Sequence, residues 1–133
     1  QPQDDDRALM GELSAETLQF RGVRGYVVDG GCRDVSFIRK MKFPVFCRFT
    51  TPRDIVAAWT PQEYEVTIMI GEITIQSGDY ILGDQDGVVV LPGIHAESII
   101  NRVEEVMQTE NLVRKAILEG VHPQEAYLRH RKF

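Results

Sequence analysis

Basic side chains are in the minority: fifteen Lys and Arg stand against 20 Asp and Glu, giving a net charge of −5 over 133 residues. No positive field exists to hold a phosphate backbone, so nucleic acid is not an expected direct partner. No apolar run approaches the roughly 18 residues that a spanning helix needs. The start, Gln1-Pro2-Gln3-Asp4-Asp5-Asp6, is acidic where a secretory leader would be basic and then apolar. The expectation is a cytoplasmic chain with no membrane contact. Cysteine is sparse, and Cys32 and Cys47 without a secretory cue read as thiols rather than a disulfide. Also missing are a phosphate loop ending in Gly-Lys-Ser/Thr, GxGxxG, GxSxG, CxxC and HExxH. ATP, dinucleotide, serine-hydrolase and zinc chemistry lose their usual carriers with them. His95, His122 and His130 lack ligand spacing and read as surface or cap residues. What remains is 43% hydrophobic, 26% charged and 8% aromatic, the balance of one ordinary domain that buries its own core.

Along the chain, Asp4-Asp5-Asp6 offers cap and first-turn acids, and Leu9, Leu13, Leu18 and Phe20 recur at helical spacing, predicting a helix from about 9 to 21. Gly11 is a poor helix former and marks a close backbone approach or a bend. Gly25 to Val28 reads as a strand entering a glycine loop at Asp29-Gly30-Gly31, Ser36 to Met41 as a short helix, and Pro44 to Phe49 as a second strand. Residues 22–49 thus form a βαβ unit. Runs around Ile68, Ile75, Ile81 and Val89 predict an antiparallel β segment over 64–91. Beyond Pro92-Gly93, apolar positions from Ile99 to Leu118 predict a long helix over 97–119 closed by Gly120. A short terminal helix follows from Pro123. The fold class is α/β.

Chemistry concentrates at Val28-Asp29-Gly30-Gly31-Cys32-Arg33-Asp34, the carboxyl end of an expected strand, where α/β folds place ligands. A guanidinium there forks onto a carboxylate or enolate oxygen while the adjacent carboxylate holds a hard cation. The plainer alternative is that Arg33 pairs with neighbours and Asp34 caps the next helix. Gly11-Glu12-Leu13-Ser14 brings a glycine and a carboxylate to free N–H groups at a helix start, a seat for an anion; taken alone, an ordinary amphipathic helix start is the favoured reading. Asp84-Gln85-Asp86-Gly87 alternates carboxylates before a glycine but lacks the other ligands of a calcium loop, so a hairpin turn with positive φ at Asp86-Gly87 is expected.

Glu12, twenty intervening residues, and Arg33-Asp34, flanked by Gly-Tyr-Val-Val-Asp-Gly and Pro44-Val45-Phe46, form a recognisable layout. Ser77-Gly78-Asp79, Asp84-Gln85-Asp86-Gly87-Val88-Val89-Val90-Leu91-Pro92, Glu110 to Arg114 and the Lys132-Phe133 end continue it. This series resembles the RraA-like and divalent-metal-dependent pyruvate aldolases, a family that includes 4-hydroxy-4-methyl-2-oxoglutarate/4-carboxy-4-hydroxy-2-oxoadipate aldolases. The resemblance implies an αββα sandwich with a compact central β-sheet or barrel, a single domain over 1–133, and a C-terminal helical extension over 94–133. It also implies a homotrimer or homohexamer with sites between subunits, where Glu110 could reach a neighbour's site. Relatives carry several tens of residues ahead of the Gly-Glu-Leu segment, so the chain is expected to be N-terminally incomplete. An intact mass near 15.1 kDa for the source protein would overturn that expectation.

For the site, the resemblance implies Asp34 as the protein ligand of Mg²⁺ or Mn²⁺, with waters completing the shell. Arg33 would bind pyruvyl oxygens, and the backbone of Gly11, Glu12, Leu13 and Ser14 would receive the substrate's carboxylate. Glu12 stands where many relatives have Asp, which keeps the acid but lengthens its reach. A polarised water near Glu12 is the candidate base. Cys32 is loop filler, since no His or Lys nearby in sequence lowers its pKa. The implied activity is cleavage of a 4-hydroxy-2-oxo acid to pyruvate and a carbonyl product, with oxaloacetate decarboxylation on the side. The founding branch of the family regulates a ribonuclease by protein contact, so a non-catalytic binder is the alternative. The extension from Glu110 to Phe133 resembles the larger, aldolase-like members and favours the enzyme.

Overall fold

The computed structural model describes residues 5–131. Asp4 of the acidic start and the Lys132-Phe133 end of the resemblance lie outside the described residues. The chain divides between Pro92 and Gly93 into two compact units.

The first unit opens with β1 (Ala8–Met10), followed directly by α1 (Glu12–Phe20). Its strands β2 (Tyr26–Val27), β3 (Gly31–Cys32), β4 (Val45–Phe46) and β5 (Phe49–Thr50) surround α2 (Val35–Met41) in sequence. Two parallel sheets result, β1-β3-β5 and β2-β4. In the first, Met10 lies opposite Cys32 and Cys32 opposite Thr50; in the second, Tyr26 lies opposite Val45. The β2–α2–β4 passage is the βαβ unit expected over 22–49.

Three local expectations need correction. The helix predicted from residue 9 begins at Glu12, because Ala8 and Met10 are buried on alternate positions of a strand and the Ala8 amide donates to the Arg53 carbonyl (3.0 Å). Long-range pairing there overrides the local helical spacing. The glycine loop ends early: Gly31 and Cys32 form the central strand β3, where a Cβ on Gly31 would lie 2.7 Å from both the Arg7 carbonyl and the Phe49 ring. The stretch 44–49 is two strands in different sheets, broken at Cys47-Arg48, with the Arg48 amide bonded to the Gly30 carbonyl.

The core gathers Met10, Ala15, Cys32, Ile38 and Phe43, with Leu18, Tyr26, Val35, Met41, Val45 and Cys47 packed against it. Both α1 and α2 dock on it, each through one buried position, Ala15 and Ile38. Leu13 and Phe20, read above as part of the apolar stripe, instead point outward. Two antiparallel hairpins complete the unit: β6 (Ile68–Ile70) with β7 (Ile73–Ile75), and β8 (Tyr80–Gly83) with β9 (Val88–Leu91). In the latter turn the Asp84 carboxylate accepts the Asp86 amide (2.8 Å), and the expected pair of positive φ angles reduces to Gly87 (φ 151). An aspartate that caps its own turn leaves Asp86 in ordinary backbone.

In the second unit a single turn (Gly93–His95) leads into α3 (Ala96–Leu118), which Gly120 terminates at φ 93. A short α4 (Pro123–Arg129) carries its proline in the first turn. Val113, Ala116 and Ala126 form its core. His95 and His122 precede the two helices and His130 follows the second, so all three histidines occupy helix ends, as expected. Among the described residues no helix is long and apolar enough to cross a membrane. The mixed α/β build with a long C-terminal helix matches the class read from the sequence.

Candidate functional site

Parallel pairing of β1 with β3 carries Met10 and Cys32 side by side, so the residues that follow each strand emerge together. Gly11 and Glu12 follow β1, and Arg33 and Asp34 follow β3. The Arg33 amide is tied to the Met10 carbonyl at 2.9 Å. Gly11 is extended, and a Cβ built on it would sit 3.0 Å from both Arg33 Nε and Asp34 Oδ2. The glycine is there because the guanidinium and the carboxylate pack on its backbone.

Asp34 departs from the expected cap. It does precede α2, but in the left-handed region (φ 56, ψ 32) and with no side-chain hydrogen bond to that helix. An aspartate tolerates this conformation better than most residues. The carboxylate turns instead to the other helix: Oδ2 accepts the amide of Glu12, 22 residues away, at 3.1 Å. Asp34 therefore satisfies the first free N–H of α1 and places negative charge at its positive end. The amides of Leu13 and Ser14 come next, before the first intrahelical bond from Ala15 to Gly11.

Arg33 is gripped by a residue that the sequence reading missed. Its Nη1 lies 2.6 Å from Asp54 Oδ2, whereas Nε lies 3.6 Å from Asp34 Oδ2. Asp54 sits in the segment after β5, and no motif or spacing points to it; only the β3–β5 pairing brings it alongside. Asp29, which lies in the stretch singled out in the sequence but was given no role there, is buried and faces Arg48 at 3.4 Å, with Arg48 also 2.6 Å from Asp5.

An open hollow of about 340 Å³ lies over this spot, lined by Cys32, Arg33, Asp34, Val35, Thr50, Thr51 and Pro52. Other hollows, against the β8–β9 hairpin and beside Tyr26, Ile55 and Trp59, lack this convergence of guanidinium, carboxylate and helix start. Cys32 stays a thiol here: burial, reinforced by Cys47 and Asp34, pushes it up to about 11. Both cysteines are free, as the sequence suggested. Glu110, expected to face a neighbour, pairs along α3 with Arg114 at 3.7 Å.

The donor set suits a water-rich cation. Asp34 supplies hard oxygen, its side chain is 39% exposed, and Oδ1 takes no part in the contacts to Glu12 or Arg33. Among the described residues no group of three His, Cys, Asp or Glu side chains could enclose an ion. Magnesium, which keeps several waters and needs only one or two carboxylates, fits such a place.

Comparison with known proteins places the chain in a family. A Halalkalibacterium halodurans protein provisionally named 4-hydroxy-4-methyl-2-oxoglutarate aldolase is 33% identical over 128 residues, covering 94% of this chain and 59% of its own. A solved structure of an uncharacterised Pseudomonas syringae pv. tomato protein superposes with a TM-score of 0.90 at 28% identity, over 95% of this chain and 59% of that one. A Streptomyces coelicolor protein, described as an unusual member of the RNase ES inhibitor RraA family, gives 0.76 at 29% identity, over 84% and 57%. The chain spans little more than half the length of the curated relatives it matches first. The family model described as RraA-like, Aldolase/RraA, matches residues 1–90, and the chain belongs to that family.

Proposed function

We propose that the protein is a divalent-metal-dependent aldolase that cleaves a 4-hydroxy-2-oxo acid into pyruvate and a carbonyl compound. The observation that carries this reading is the meeting of Arg33, Asp34 and the first turn of α1 across Gly11. In such a cleavage the 4-hydroxyl loses its proton and becomes the carbonyl of one product, while the C3–C4 bond breaks and its electron pair forms the C2–C3 double bond of an enolate whose charge rests on the keto oxygen. Carbon 3 then takes up a proton to give pyruvate. Asp34 would hold the Mg²⁺ or Mn²⁺ ion, which when bound supplies positive charge to the keto oxygen without a Schiff-base lysine. Arg33 places a second positive contact at the pyruvyl oxygens, fixed before the charge develops. The amides of Leu13 and Ser14 receive the substrate carboxylate at the helix start. Glu12 orients the water that takes the hydroxyl proton. Loss of carbon dioxide from oxaloacetate generates the same enolate, so decarboxylation is expected alongside.

Pyruvate release measured across a panel of 4-hydroxy-2-oxo acids and oxaloacetate tests this, with Mg²⁺, with chelator, and with Asp34→Ala. Release that needs Mg²⁺ and falls by at least about 100-fold in the variant supports the reading. No release from any of these compounds overturns it. Assembly into a trimer or hexamer, with Glu110 reaching the next subunit, belongs to the same proposal. Likeness to the Streptomyces inhibitor-family protein supports a second reading, a regulator that binds a ribonuclease complex. Capture of such a complex, unchanged by Arg33→Ala, would favour that role.

A further inference from the structure

We propose that Asp54 is the positioning residue of Arg33, fixing which edge of the guanidinium meets the oxygens of a bound 2-oxo acid; the inference rests on the aldolase reading. Arg33 stands between two carboxylates and engages them unequally. It is close to Asp54, at 2.6 Å from Nη1, and distant from Asp34, at 3.6 Å from Nε. An arginine beside an acid tends to close a two-pronged pair with it. Were Arg33 to do so with Asp34, it would cover the oxygens that a cation needs. Asp54 draws the fork the other way, leaving Asp34 the longer contact.

The anchor is itself held. Asp54 Oδ1 accepts the Val56 amide at 2.6 Å, closing a local turn. Its segment is pinned to both strands that deliver the site: the Thr51 amide bonds the Cys32 carbonyl (3.1 Å), and the Arg53 carbonyl accepts the Ala8 amide (3.0 Å). Arg53 also pairs with Asp6. Asp54 is therefore placed by the same β1-β3-β5 sheet that places Gly11 and Arg33. The Arg33 and Asp54 side chains are 40% and 38% exposed, and an ion pair so open to water adds little to stability. Its consequence is direction.

Asp54→Asn tests this because asparagine keeps the acceptor for the Val56 amide and removes the charge and the acceptor that Arg33 meets. With Mg²⁺ and the best substrate, kcat is expected to fall at least about tenfold while KM stays within about threefold and thermal stability is retained. Asp54→Glu should restore part of the loss. A kcat that is unchanged or raised overturns the proposal, as does a loss matched by unfolding. If the unaltered protein releases no pyruvate, the aldolase reading fails and Asp54 is judged by ¹⁵N spectra of the Arg33 side chain. Separate Nη signals that merge in Asp54→Asn support the positioning role, and identical spectra overturn it.

Discussion

Gly11 has backbone angles open to any residue (φ −141, ψ −178), so its identity is dictated by what lies against it rather than by conformation. An alanine there would bring its methyl to 3.0 Å from Arg33 Nε and Asp34 Oδ2 and to 3.2 Å from Arg33 Cγ. The backbone would accept the change while the two side chains moved aside. Gly11→Ala should therefore alter stability by less than about 1 kcal/mol yet lower pyruvate release by about 10- to 100-fold. Urea unfolding and steady-state rates on one preparation check both halves. At this scale the sequence was informative where chemistry is carried by residue type: Gly11, Glu12, Arg33 and Asp34 were read as two spots, and the structure joins them. Asp54 was not legible, because its part depends on which strand lies beside which. That the Asp34 side chain does not cap α2, one of the readings open for it, has a related reason. Its place before α2 is local, whereas its hydrogen bond to the start of α1 depends on the pairing of β1 with β3.

At the level of elements, helices were easier to read than strands. The bounds of α2, α3 and α4 follow from spacing and from Gly120 and Pro123, all signals within one turn. The strands of the parallel sheets are two or three residues long and take their identity from partners far along the chain. That is why Leu9 and Met10 looked helical and 44–49 looked continuous. The site depends on these short strands, and α2 clamps them through Ile38, buried among Met10, Ala15, Cys32 and Phe43. Ile38→Ala should cost about 2–5 kcal/mol through lost burial and a cavity, read as a lower urea midpoint. Val35, only partly buried on the same helix, should tolerate alanine better.

For the molecule as a whole, the most specific electrostatic expectation comes from its thiols. Burial raises Cys32 from 9.0 to about 11, and burial raises Cys47 in the same direction. The folded state thus holds these protons more tightly than the unfolded chain. Their contribution to stability is complete below about pH 9 and is lost as pH climbs toward about 11. Unfolding free energies measured between these limits should decline, and Cys32→Ala should flatten the decline. Reaction with a thiol reagent at pH 8 should be slow for the same reason.

The bond from the Glu12 amide to Asp34 joins the frame of α1 to the charge of the proposed cation ligand. Whatever draws electron density from that carboxylate weakens the grip on this one proton. The Glu12 amide is thus a built-in gauge: its chemical shift and exchange rate should follow cation loading, reporting the state of the site from the backbone without any substrate present.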